Sequence, residues 1–189
     1  MKYISTRGND GPLGYEEALL SGLARDGGLY LPASYPRFSS EEIDAMLGLS
    51  YPELAGLIMA RFTDGEIEAG ELTAMARDAY AGFNDPSVAP LRHLSGNIHV
   101  LELFHGPTIA FKDYAMQFLA RAFDRALRRT SRRAVILGAT SGDTGSAALE
   151  AFQGRDSIDV FILFPEGCVS PVQQRQMTSI IDAGANAIA

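Results

Sequence analysis

Residues 134–148 read AVILGATSGDTGSAA, and the succession of residue types in this stretch decides the fold. Ala134 to Gly138 is a short aliphatic run that predicts a strand. A tight turn of small residues follows, and Thr144 to Gln153 predicts a helix. A strand that passes through a tight turn into a helix is the opening half of a βαβ unit, which points to α/β architecture with a parallel sheet. Gly138, Gly142 and Gly145 let backbone approach a ligand closely, and the N–H groups that open the helix favour an anion. The spacing is neither G-x-G-x-x-G nor G-x-x-x-x-G-K-[ST], so it speaks against dinucleotides and P-loop nucleotides and for a small carboxylate or phosphate. A tight β–α turn with no ligand is the plainer alternative on spacing alone.

The alternation continues on both sides of this stretch. Upstream, Asn97 to Phe104 predicts a strand and Asp113 to Arg129 a helix. Downstream come a strand over Asp159 to Phe164, a helix over Pro171 to Ala183, and the start of a further strand over Ala185 to Ala189. Short β-branched runs separated by helices predict a parallel sheet covered on both faces. In the upstream helix Ala115, Phe118, Leu119, Ala122, Ala126 and Leu127 fall on one side, and Gln117, Arg121, Asp124, Arg125 and Arg128 fall mainly on the other. Residues 1 to about 90 predict a mostly helical region with a short amino-terminal strand. There Ser39-Ser-Glu-Glu42 has capping-box spacing, Pro52 opens a helix, and Gly65 to Gly70 leads into another. The pairs Glu16/Glu17 and Glu41/Glu42 therefore read as first turns of helices rather than as acid/base pairs. The expected organisation is an amino-terminal domain over 1–90 and an α/β domain over 91–189. Because Asp182-Ala-Gly184 reads as a helix end and the residues after it enter a strand, the second domain is expected to be truncated.

Composition narrows the function classes. The chain of 189 residues carries 23 acidic against 16 basic side chains, a net charge of −7, which disfavours general affinity for nucleic acid or anionic membrane. Arg128, Arg129, Arg132 and Arg133 complement the dipole at a helix carboxyl end and do not make a nucleic-acid patch. Cys168 is the only cysteine, so no intrachain disulfide framework exists. The amino terminus shows no apolar signal region, and no run is long enough to span a membrane, so a cytoplasmic protein is expected. His93, His99 and His105 have no metal-ligand spacing, and no metal is expected.

One lysine stands apart. Lys112 lies inside GPTIAFKDYAMQF, residues 106–118, a run of small and apolar residues that ends at the start of a helix. The plain reading is a lysine whose stem snorkels to solvent. A helix amino end is already partly positive, however, and is a poor place for a second positive charge. Desolvation and that positive end both favour the neutral amine, the form required for imine chemistry with an aldehyde.

Taken together, the two motifs resemble a known family. Glu102 to Ala115, ELFHGPTIAFKDYA, resembles the lysine signature of fold-type II pyridoxal-phosphate enzymes, and His105-Gly-Pro-Thr108 narrows the resemblance to threonine synthase. Ala139 to Ser146 is similar to that family's substrate loop. Tyr3-Ile-Ser-Thr-Arg-Gly8 and Gly22-Leu-Ala-Arg-Asp-Gly-Gly-Leu-Tyr-Leu-Pro32 resemble its amino-terminal elements. The resemblance implies conversion of O-phospho-L-homoserine and water to L-threonine and phosphate, with pyridoxal 5'-phosphate bound covalently to Lys112. It also implies that Phe111 packs beside the cofactor and that Asp143 contacts it. The segment Thr140, Ser141, Gly142, Thr144 and Gly145 would hold the substrate carboxylate through backbone N–H groups and the Ser141 and Thr144 hydroxyls. An ionised Asp143 cannot donate a hydrogen bond, so it needs a shared proton or a different contact. His105 either touches substrate phosphate or orders the loop ahead of Lys112.

The same resemblance places the cup for the cofactor phosphate and the partner of its pyridine nitrogen beyond Ala189. The span alone is therefore expected to be inactive. Two alternatives stay open: a related pyridoxal-phosphate lyase or dehydratase, with the Thr-Arg-Gly and Asp-Gly-Gly elements counting against the dehydratase, and an inactive truncated chain that binds a ligand. Nothing in the residues sets an oligomeric state.

Overall fold

A computed structural model describes residues 1–140, 142–180 and 184–189, and the chain divides into two units, Met1–Asp78 and Ala79–Ala189. The first unit runs β1 (Tyr3–Ser5), α1 (Tyr15–Ser21), β2 (Tyr30–Pro32), α2 (Ser40–Ala45), α3 (Tyr51–Thr63) and α4, which spans Ala69–Tyr80. Its helices start where the sequence places their caps. Ser39 Oγ accepts from the Glu42 N–H at 3.2 Å while the Glu42 carboxylate accepts from the Ser39 N–H at 2.8 Å, the reciprocal pair that opens α2. Glu53 accepts from both the N–H and the hydroxyl of Ser50 at the head of α3. The head of α1 adds a distant residue to a local one: Glu17 accepts from the Gly14 N–H at 3.2 Å, and the two carboxylate oxygens of Glu66 accept from the N–H groups of Tyr15 and Glu16 at 2.8 and 3.0 Å. Thr63, Ile67, Leu72 and Ala76 form the buried centre of this unit.

β1 pairs antiparallel with β2, Tyr3 opposite Pro32. The strand over Tyr30–Pro32 is too short to show alternation and was not expected from the sequence. What holds this corner is a pair of aspartates rather than the strand pair itself. Asp26 accepts from Ser5 Oγ at 2.6 Å, from the Gly28 N–H at 2.9 Å and from the Asn9 N–H at 3.0 Å. Asp10 accepts from the Arg25 N–H, the Tyr30 hydroxyl and the Gly11 N–H. Arg7 donates to the Asp26 carbonyl at 2.9 Å, so Thr6-Arg7-Gly8 and Asp26-Gly27-Gly28 are locked to each other.

The second unit contains β3 (Leu91–Ser95), β4 (Ile98–Leu101), α5 (Lys112–Arg129), β5 (Ala134–Ala139), α6 (Asp143–Phe152), β6 (Ile158–Leu163), α7 (Pro171–Thr178) and β7 (Ala185–Ile188). Its parallel sheet has the order β5-β6-β7, with Ala134 opposite Ile158 and Val160 opposite Ala185. The strand expected over Asn97–Phe104 is a correction. It is the second arm of an antiparallel hairpin with β3, turned at Gly96 (φ +52°), and does not join the parallel sheet. The helix expected over Pro171–Ala183 ends at Thr178, and residues 181–183 lie outside the described residues.

Two further expectations change. The sheet is covered on one face only: Ile158, Val160 and Ile162 are buried, whereas Val135, Leu137, Leu163 and Ile188 on the opposite face are exposed. Among the described residues no helix packs there. In α5, Phe118, Ala122, Ala126 and Leu127 of the expected apolar side are buried, but Ala115 and Leu119 are exposed and the buried face widens to take in Asp113, Gln117, Ala120 and Asp124. The apolar count missed that widening because Asp124 is a buried anchor. It accepts from the Ser157 hydroxyl and from Arg128 Nε at 3.1 Å, with Arg155 at 3.7 Å. Those partners compensate the carboxylate and make its burial tolerable.

The aspartate corner makes the first unit acid-sensitive. Backbone and side-chain hydrogen bonds hold the Asp10 and Asp26 carboxyls below their ordinary 3.8. A depressed folded value contributes stability above the unfolded value and loses it as pH falls through the folded one. Far-ultraviolet circular dichroism against pH should show unfolding that begins below about pH 4. The double variant Asp10→Asn, Asp26→Asn should be less stable at neutral pH and should lose part of that acid dependence.

Candidate functional site

Lys112 is the first residue of α5, and the turn that delivers it is braced from inside. The next residue, Asp113, is fully buried; Oδ2 accepts from the Thr108 N–H at 2.8 Å and Oδ1 from the Thr108 hydroxyl at 2.6 Å. Gly106 lies so close that an added Cβ would sit 2.5 Å from Asp113 Oδ2, which explains glycine at this position. Between them Ile109 holds φ +64°, a left-handed conformation that costs a β-branched residue about 1–3 kcal/mol. The side chain of Lys112 is half-buried, and its Nζ lies 4.9 Å from the centre of the exposed Phe111 ring. Among the described residues no carboxylate pairs with that amine.

Ahead of the turn, His105 Nε2 lies 2.9 Å from Glu102 Oε2, and Glu102 is 3.5 Å from Arg92 Nε. The Asn84 N–H donates to the His105 carbonyl at 2.8 Å. These contacts tie His105 to the segment that leads into the turn.

The loop between β5 and α6 uses most of its own donors. The Thr140 N–H donates to the Leu163 carbonyl, the Gly142 N–H to Thr140 Oγ1 at 3.1 Å, and the Gly145 N–H to the Gly142 carbonyl. That leaves the N–H groups of Asp143 and Thr144, the first two of α6, without an acceptor among the described residues. Both residues are exposed, so an anion can reach those donors and the Thr144 hydroxyl. Ser141 lies outside the described residues. Gly145 is buried in the packing of α6: an added Cβ would sit 2.8 Å from Ile162 Cγ2 and 2.9 Å from Met177 Sδ. At the next residue, the buried Ser146 hydroxyl has no partner among the described residues.

Helix α7 reaches both motifs. Gln176 Nε2 donates to the Thr108 carbonyl at 3.0 Å, and Gln173 Nε2 donates to Asp143 Oδ1 at 2.8 Å. Asp143 thus has an amide donor from the same chain on one of its oxygens. Neither glutamine was singled out from the sequence. The only cue is their i, i+3 spacing on a helix, which is not specific. Asp113 and Ser146 were also missed, although both sit inside quoted motifs. Beside the loop, Thr140, Leu163, Phe164, Pro165 and Ile188 line a mostly apolar concavity of about 550 Å³ at the carboxyl ends of β5, β6 and β7. In open α/β sheets that is the end at which ligands bind.

Comparison with known proteins places this geometry. The family profile described as threonine synthase N terminus matches residues 2–80. Threonine synthase of Pseudomonas aeruginosa is 51% identical over the whole chain, which covers 40% of that protein. The crystal structure of pyridoxal-phosphate-bound threonine synthase from Brucella melitensis matches 99% of the chain at 58% identity, with a TM-score of 0.95. Threonine synthase from yeast matches all of it at 37% identity and a TM-score of 0.93. The chain spans about 40% of the length of each of these relatives.

Two substitutions in α6 separate packing from ligand binding. Gly145→Ala should lower stability by about 1–3 kcal/mol through overpacking against Ile162 and Met177. Ser146→Ala should raise it by about 1 kcal/mol by removing an unpaired buried hydroxyl. Chemical denaturation of each variant measures both effects.

Proposed function

Because the chain belongs to the threonine synthase family and matches the amino-terminal portion of its members, we propose that it carries the lysine and the substrate loop of a threonine synthase. The substrate is O-phospho-L-homoserine, and the products are L-threonine and phosphate. The observation that carries this reading is Lys112 itself, an amine without a carboxylate partner among the described residues, on a turn braced by Asp113. These residues fit pyridoxal 5'-phosphate. Lys112 would bind it covalently, and Phe111 and Asp143 would contact it. When bound, the cofactor supplies an electron sink for the carbanions through which phosphate leaves.

The roles of the chain's own residues follow from their chemistry. Lys112 would take the proton from the substrate Cα and later return one. The N–H groups of Asp143 and Thr144, with the Thr144 hydroxyl, hold the substrate carboxylate at the positive end of α6. Ser141, Gly142 and Gly145 complete that loop, with Thr140 fixing its backbone through Oγ1. Gly145 acts in this role chiefly by letting α6 pack close. No nucleic-acid or membrane partner enters the reading.

Borohydride reduction of the cofactor-loaded natural polypeptide should fix pyridoxal phosphate on the peptide that contains Lys112. Lys112→Ala should abolish turnover; label on any other lysine would overturn the assignment. Residues 1–189 alone should release no phosphate from O-phosphohomoserine, because the sheet face of Val135, Leu137 and Leu163 stands open to water and an enclosed site is needed to order and dry the cofactor. Robust phosphate release by that span would show that the wall comes from residues read here as structural.

A further inference from the structure

Two amide side chains on α7, three residues apart, each hold one of the two motifs. Gln176 reaches the lysine turn, and Thr108, whose carbonyl it holds, spends its N–H and hydroxyl on Asp113, the neighbour of Lys112. Gln173 reaches the substrate loop at Asp143, the residue whose N–H is one of the two open donors of α6. The direction of each amide is determined by its partners. A carbonyl and a carboxylate only accept, so each glutamine must present Nε2. Ser170, the residue that caps α7, adds a third constraint by donating its hydroxyl to Gln173 Oε1 at 3.0 Å, which leaves the amide nitrogen turned toward Asp143. Met177, buried next to Gln176, comes within packing distance of Gly145 and seats the same helix on α6. Helix α5 also packs directly on α6, with Phe123 edge-on to Phe152, and α7 adds a second link at the start of both, from Gln173 to Asp143 and from Gln176 to Thr108.

We propose that Gln173 and Gln176 are positioning residues that set where the Lys112 turn stands relative to the carboxylate-binding start of α6. The inference rests on the reading of Lys112 and the loop given above. The two ties have different consequences. Loss of the Gln173 tie frees Asp143 and the adjoining N–H donors, so substrate binding suffers. Loss of the Gln176 tie leaves the Thr108 carbonyl unheld, loosens the turn that Asp113 braces, and disturbs the environment of the lysine amine. A helix that only fills space would produce neither effect selectively.

The test uses the full natural polypeptide loaded with pyridoxal phosphate, with Gln173→Glu, Gln176→Glu and the double variant. Each substitution keeps the shape of the side chain and replaces its donor with an acceptor. Gln173→Glu should raise KM for O-phosphohomoserine by about tenfold or more, the loss of about one charge-assisted hydrogen bond, with cofactor affinity little changed. Gln176→Glu should lower kcat and shift the pH midpoint of the visible absorption of the lysine-bound cofactor. The double variant should combine the raised KM with the lowered kcat and the shifted absorption midpoint. If Gln173→Glu folds poorly, Gly142→Ala replaces it: the new Cβ would sit 2.6 Å from Gln173 Nε2 and displace that flexible end while leaving the glutamine in place. Variants that lose thermal stability but keep wild-type KM, kcat and absorption midpoint would overturn the proposal and make α7 a packing element. Borohydride labelling of the wild type separates the two levels: label away from Lys112 sinks the functional reading, whereas label on Lys112 with unchanged variant kinetics sinks this inference alone.

Discussion

A carboxylate taken out of water must find donors, and Asp113 finds both of its own in a single residue, Thr108. Among the described residues no cation pairs with it, so the compensation comes from two hydrogen bonds and the positive end of α5. The shape of the turn follows from that requirement. Thr108 can serve both oxygens only if the chain doubles back, Gly106 can pass the carboxylate only without a Cβ, and Ile109 is forced to a positive φ on the way. Lys112 is therefore held at its backbone by a buried neighbour while its own side chain remains unpaired among the described residues. A rigid support under an uncommitted amine is the arrangement expected when a side chain must bind covalently and still move protons.

The two units solve their loop problem differently. In the first, carboxylates gather backbone N–H groups, as the half-buried Asp10 and Asp26 do at the strand corner and the exposed Glu66 does at the head of α1. In the second, the donors at the head of α6 are left open, and the neighbouring carboxylate, Asp143, is held by an amide. The starts of α2 and α3, by contrast, are closed by capping boxes. The open N–H groups give the start of α6 spare capacity for an anion.

Much of this was legible in the sequence because it depends on neighbours along the chain. The strand Ala134–Ala139, the helix Asp143–Phe152, the helix that starts at Lys112 and the capping box at Ser39 are local patterns that the tertiary contacts keep. The failures depend on residues far apart. Asn97–Leu101 is a strand, but its pairing with β3 rather than the parallel sheet is a long-range choice. Asp124 is buried because Ser157 and Arg155, on a later loop, come to meet it, and an apolar count cannot see that. Gln173 and Gln176 carry no motif of their own and acquire meaning only when Asp143 and Thr108 are found beside them.

Neither of those glutamines titrates, and this bears on how the chain responds to ionic strength. The ion pairs Arg77 to Glu53, Arg92 to Asp85 and Arg133 to Asp159 lie at the surface, within reach of counterions that screen them over about 10 Å at 0.1 M salt. A neutral amide held on a backbone carbonyl has no net charge for those ions to screen. The link from α7 to the lysine turn thus belongs to a class of contact that persists in brine as in dilute buffer, while the periphery loosens around it.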